Sequence, residues 1–214
     1  MQPAALLTLA RWLSPAFPTG GFAFSHGLEA EVAAGRVTGA ASVRDWLAAG
    51  LEHGAGRNDA ILLAASWRAE GDGAREGLAD LALALAAGAE RAAETRAQGA
   101  AFAAALRGSG EADLPEWPMP VAVGAATRLA GLPLEETLLL YLQNFASNLA
   151  TIAVRHVPLG QSAGQEILAG LAPLIGRLAA EALHATLDDL GSCTFASDLS
   201  SLDHETLTTR IFRS

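Results

Sequence analysis

The pentapeptide Gly160-Gln161-Ser162-Ala163-Gly164 has the spacing of a hydrolase nucleophile elbow, and Asp188 and His204 follow it in the order a catalytic triad requires. An elbow works only where a strand of a parallel sheet turns sharply into a helix. This chain offers one β-branched stretch, Thr151 to Val157, where several strands are needed. A serine hydrolase using Ser162 is therefore the alternative reading and not the leading one. Glu181-Ala182-Leu183-His184 puts a carboxylate and an imidazole on one helical face, which is half of a di-iron bundle motif. None of His26, His53, His156 and His204 has a Glu three residues before it, so the second half is missing. His184 with Asp188 reads instead as a surface pair.

The five histidines are dispersed and lack the paired spacing of a preformed metal site, so no metal ligand and no cofactor is assigned. For His26 and His204 a structural hydrogen bond is expected ahead of metal ligation. All 14 basic residues are Arg, and without Lys neither a Walker A nucleotide site nor Schiff-base chemistry is possible. The net charge of −9 repels nucleic-acid phosphates. Cys193 is the only cysteine, which precludes an internal disulfide and points to a reducing compartment. The N-terminal residues Gln2 to Leu9 lack a basic leader and do not read as an export signal.

The elements that must position these residues read as helices. Apolar residues make up 51% of the 214, yet β-branched and aromatic residues are scarce, which favours helix over strand. The pattern predicts an all-α, single-domain bundle of about eight to ten helices. A short helix at 4–13 leads into a loop shaped by Pro15, Pro18, Gly20 and Gly21. Ser25 to Ala34 is predicted to end at Gly35, Ser42 to cap the next helix with Asp45, and Asn58 or Asp59 to cap a helix reaching Glu70. Two helices, 72–87 and 90–107, break near Gly88. A proline-rich loop to Pro120, a helix at 121–130, and a long helix at 162–187 follow. The tail from Gly191 is expected to be extended with a short helical turn.

The helix at about 134–157 is predicted to lie buried at the centre. Leu138, Leu142, Phe145, Leu149, Ile152 and His156 share one of its faces. Leu138 to Val154 has about the minimum length for a membrane span, but Gln143, Asn144, Ser147, Asn148 and Thr151 mark it as a buried core helix. Asn144, Asn148, Thr151 and Arg155 form a narrow polar stripe, either an internal hydrogen-bond network or a surface facing a partner or polar channel.

Leu13-Ser14-Pro15-Ala16-Phe17-Pro18-Thr19-Gly20-Gly21-Phe22, followed by Ser25-His26-Gly27-Leu28-Glu29, resembles the N-terminal signature of the UreF family of urease accessory proteins. Four further blocks occur in the family's order: Asn58-Asp59; Glu94-Thr95-Arg96 with Gly99; Pro158-Leu159-Gly160-Gln161 with Gly164-Gln165; and His204-Glu205 with Arg210, Phe212, Arg213 and Ser214. The resemblance spans nearly the whole chain. It implies an all-α, cytoplasmic, non-enzymatic protein that dimerises, binds the accessory subunit UreD/UreH, and so recruits the GTPase UreG for nickel insertion into apo-urease.

The resemblance also implies roles for particular residues. In the N-terminal loop (about 12–29) Ser14, Phe17, Pro18, Phe22, Ser25, His26 and Glu29 would face UreD/UreH. In the tail (about 191–214) His204, Glu205, Arg210, Phe212 and Arg213 would do so too. Phe17, Phe22, Phe24 and Phe212 would then be apolar surface on the isolated chain, ordering on binding. Glu94, Arg96, Asn144, Asn148, Arg155 and Gln161 are candidates for contact with UreG or for a nickel route. Phe24 and Thr208 stand where the family commonly has Tyr, and Ala97-Gln98 where it commonly has Gln-Met. Each missing hydroxyl removes a hydrogen bond worth about 1 kcal/mol.

Overall fold

The computed structural model describes residues 2–191 and 194–213; Cys193 and Ser214 lie outside that range. Ten α-helices occur among the described residues: α1 Pro3–Trp12, α2 Leu28–Ala33, α3 Ala40–Glu52, α4 Ala55–Arg68, α5 Asp72–Ala84, α6 Ala89–Gly108, α7 Met119–Leu129, α8 Leu134–His156, α9 Gln161–Ala182 and α10 Phe195–Glu205. The described residues hold no strand, so the protein is all-α. Gly35 and Gly131 both end helices with positive φ, a backbone conformation that side-chain-bearing residues rarely adopt.

α7 is the most deeply buried helix, with every residue from Met119 to Thr127 shielded. Gly124 permits this, because a Cβ there would lie 2.4 Å from the Leu63 carbonyl oxygen of α4. α8, expected at about 134–157 as the central buried helix, lies at the centre of the bundle, and its C-terminal end reaches the surface. It touches α1, α2, α3, α4, α7 and α9, yet Thr151 and Arg155 stay exposed at its C-terminal end. α8 is the one helix among the described residues long and apolar enough to cross a membrane, and it is packed as a core helix. The polar stripe does not form one network. Thr151 donates back to the Ser147 carbonyl at 2.8 Å, Arg155 is exposed, and Asn144 and Asn148 line a small cavity.

Three capping expectations are corrected. α3 begins at Ala40, and Ser42 is its third residue, accepting the Gly39 N–H at 3.2 Å. Asp45 pairs with its neighbour Arg44 on the surface and caps nothing. α4 begins at Ala55, so Asn58 and Asp59 lie inside it, buried toward the core. The tail is also more ordered than expected, because residues 195–205 form a helix of 11 residues.

The N-terminal loop is pinned to this scaffold by aromatic contacts. Phe17 and Trp12 stack on Phe102 of α6, with ring centroids 5.4 and 6.0 Å away. Phe102 is fully buried, which stabilises the fold by about 1.5–3 kcal/mol.

Candidate functional site

The two ends of the chain meet over α6. Glu29 of α2 is 4% exposed, and its carboxylate receives Nε2 of His204 at 3.0 Å. The same carboxylate accepts the backbone N–H groups of Ile211 at 2.8 Å and Phe212 at 3.0 Å. On its other side His204 meets Glu90 of α6 through Nδ1 at 2.8 Å, and Arg210 donates to Glu90 at 2.7 Å. Arg213 N–H donates to the Ala23 carbonyl at 2.7 Å, closing the tail onto the N-terminal loop. Burial works to raise the Glu29 carboxyl, but the His204 hydrogen bond and the two amide donors outweigh it and hold the group below its usual range.

α10 can approach this closely because of Gly27, whose φ is +78°. A Cβ there would lie 2.8 Å from the Ser201 nitrogen. Glu31, one turn above Gly27, takes two hydrogen bonds from Arg36 at 2.7 and 2.8 Å and one from Ser200 of α10. Burial and the Arg36 bonds act in opposite senses on Glu31, and the Arg36 bonds prevail to lower its pKa.

A second histidine from the N-terminal loop binds α6 one turn further on. His26 Nε2 lies 2.8 Å from Glu94 Oε1, which also accepts from Gln98 at 2.7 Å. His26 has φ +54°, the only positive value at a described residue other than Gly. Such backbone strain persists where the surroundings hold it, here Glu94 and the edge-on Phe145 ring at 5.0 Å. Arg91 joins Glu94 to Asp59, reaching Asp59 at 2.7 Å and Glu94 at 3.3 Å, and Tyr141 donates to Asp59 at 2.9 Å. Burial pushes Glu94 up, but the charges of His26 and Arg91 hold it low, while burial drives the Tyr141 hydroxyl well above its ordinary value.

The named residues therefore separate. Ser25, Glu29, His204 and Phe212 are buried in the junction itself, whereas Pro18, Phe22, Arg210 and Arg213 remain exposed. Phe24 and Phe212 are buried, the latter edge-on to His156 at 5.8 Å, so of the four phenylalanines expected on the surface only Phe22 is fully exposed. Ser14, Phe17, His26 and Glu205 are half-buried. An open groove of about 500 Å³ runs between Phe24, Ala89, Ala93, Ala97, Arg210 and Arg213, beside the junction. Glu94, Asn144 and Asn148 share a cavity of about 30 Å³, while Arg96, Arg155 and Gln161 are exposed and outside it.

Sequence reasoning missed α10, which is amphipathic in the reverse sense. Ser200, Ser201 and His204 face the protein, while Phe195, Leu199 and Leu202 face outward, 74%, 52% and 45% exposed. Their spacing of four and three residues is a helical signal in a stretch expected to be extended with a short helical turn. It also missed Glu90, whose spacing of four from Glu94 places both carboxylates on one face of α6.

The triad does not assemble. Ser162 lies exposed in the first turn of α9, Asp188 is exposed, and both ring nitrogens of His204 are engaged by glutamates. Glu181 pairs with Arg177, and no ion pair joins the exposed His184 and Asp188. No group of three His, Cys, Asp or Glu among the described residues is placed to hold a metal ion.

The UreF family model matches residues 37–172. A urease accessory protein UreF of Cereibacter sphaeroides is 55% identical over 210 residues, covering 98% of this chain and 99% of that protein. The chain belongs to the UreF family. Other UreF proteins, from Jannaschia and Rhodopseudomonas palustris, are each 46% identical, covering 99% and 100% of this chain and 96% and 94% of their own lengths. One of the blocks read in the sequence, Glu94-Thr95-Arg96 with Gly99, acquires a packing role in this UreF chain. Thr95 Oγ1 accepts the Met119 N–H at 3.3 Å, and a Cβ on Gly99 would lie 1.9 Å from the Trp117 carbonyl oxygen.

Proposed function

We propose that this UreF-family chain is a non-enzymatic assembly factor in the cytoplasm. It binds UreD/UreH, dimerises, and so recruits the GTPase UreG, which delivers nickel as cargo to apo-urease. The observation that carries this reading is the outward apolar face of α10. A soluble chain gains nothing from presenting Phe195, Leu199 and Leu202 to water while burying serines, unless another protein covers them. Exposed Phe22 and Ile211, 57% and 70% accessible, extend the apolar surface from the two segments that the junction holds together.

In this reading Glu29, Ser25, His204 and Phe212 act indirectly, by holding loop and tail in a shape that UreD/UreH can grip. Ser14, Phe17, Pro18, Phe22, His26, Glu205, Arg210 and Arg213 supply or border the surface. Arg96, Arg155 and Gln161 are exposed candidates for contact with UreG, and Glu94, Asn144 and Asn148 border a polar route for the metal.

Co-purification with UreD/UreH under reducing conditions tests the proposal. A stable complex at micromolar concentrations is expected, weakened about a hundredfold by Leu199→Asp with unchanged circular dichroism, as for loss of an interface hot spot. Absence of any complex with the unaltered chain would overturn it.

A further inference from the structure

A cavity of about 130 Å³ lies on the other side of the His26–Glu94 pair, between α3, α4, α6, α8 and the start of α10. Four observations describe its walls. Asn58 is 8% exposed and lines the cavity, yet its Oδ1 has no hydrogen-bond partner. Glu94 is 2% exposed and lines the same space, with its Oε2 facing Arg91 Nη1 at 3.3 Å. Asp198 borders the cavity from α10 and is held by Thr194, through its hydroxyl at 3.5 Å and its backbone N–H, with no cation in ion-pair reach among the described residues. Trp46 and Phe145 contribute aromatic surface.

The charge count gives the wall its sign. Arg91 is shared between Asp59 and Glu94, which leaves Asp198 uncompensated. Burial raises the Asp198 carboxyl above its usual range, as expected of an acid waiting for a counter-charge. The orphaned Asn58 oxygen and the Asp198 carboxylate, which lacks an ion-pair partner, call for a ligand that donates hydrogen bonds and carries positive charge, and aromatic walls favour the same sign. The ligand chemistry that fits is nitrogenous, since among the described residues no group of three His, Cys, Asp or Glu is placed to hold a metal ion.

We propose that this cavity is a binding site for a small nitrogen cation, an ammonium or alkylammonium group, seated against Asp198 and the Asn58 carbonyl between Trp46 and Phe145. The proposal does not depend on the partner reading above.

Thermal unfolding of the isolated chain in ammonium or methylammonium chloride tests it, with sodium chloride at equal ionic strength as reference. A saturable rise in midpoint over sodium is expected, because a ligand that binds only the folded state stabilises it by mass action. Asp198→Asn keeps the shape, removes the charge, and should weaken the apparent affinity about tenfold. Tetramethylammonium, which has no N–H, should act much more weakly. If the variant fails to fold, nuclear Overhauser contacts from the methylammonium methyl group to the Trp46 indole of the unaltered chain decide the matter. Identical midpoints in ammonium and sodium salts, or no contact to Trp46, would overturn the proposal and leave the cavity to water.

Discussion

His204 and Glu29 are 175 positions apart in the chain, and their side chains meet at 3.0 Å in a place that water does not reach. The pair joins α10 to α2, and Glu90 on the far side of the imidazole joins both to α6. The surface proposed to meet UreD/UreH thus rests on a buried triad of two carboxylates and an imidazole, and its integrity should track that triad.

Replacing His204 by Ala leaves Glu29 and Glu90 buried without their shared partner. Removing one member of a buried ion pair costs about 3–5 kcal/mol, so the midpoint of urea unfolding should fall markedly. His204→Gln, which retains a hydrogen-bond donor, should lose less. Equal stability of the Ala variant and the unaltered protein would show that the tail contributes nothing to the fold.

Acid should release the tail before it melts the bundle. The Glu29 pKa is lowered from 4.5 in the folded protein, so its contribution is fully present above that value and is lost as pH falls through the lower, folded value. Glu31 and Glu94 are shifted the same way and add to the effect. Amide exchange at Ile211 and Phe212 should accelerate below pH 4.5, beyond the change at helical amides of α7, when rates are corrected for intrinsic pH dependence. Protection that stays constant through this window would contradict the assigned role of Glu29.

Gly99→Ala should be costly although alanine is the better helix former. The added methyl would meet the Trp117 carbonyl, and backbone there cannot yield as a flexible side chain could. Overpacking of this kind costs about 1–3 kcal/mol, a drop of roughly 2–10 °C in the unfolding midpoint for a chain of this length. Gly170→Ala, where nothing lies within 4 Å, provides the control and should be neutral or stabilising.

Ser162→Ala should leave stability within about 0.5 kcal/mol, and a fluorophosphonate probe should not label the unaltered folded protein. Labelling that the substitution abolishes would restore the hydrolase reading.

Local signals carried much of the fold. Gly35 and Gly131 end helices, and Gly88 separates α5 from α6, because each acts within a few residues of itself. Asn58 and Asp59 misled for the opposite reason. Their types favour helix starts, but Arg91 and Tyr141, far along the chain, give Asp59 a better use inside α4. The site was legible as a set of motif blocks and not as an arrangement. Nothing near His204 announces Glu29, and nothing near Glu94 says that it is buried while Arg96, two residues on, is exposed. The reversed polarity of α10 was hidden by reading Phe195 to Glu205 as tail, since serines seldom mark the inward side of a helix.

The junction of loop and tail bears on how the protein is made. Glu29 emerges from the ribosome well before His204, Ile211 and Phe212, the groups that hydrogen-bond its carboxylate. The nascent chain must therefore carry its N-terminal loop unfinished until residues 204–212 appear, and on the proposed function a fragment released before that point should bind UreD/UreH weakly. On the proposed function, translation of residues 204–212 thereby becomes the step that readies the loop for its partner.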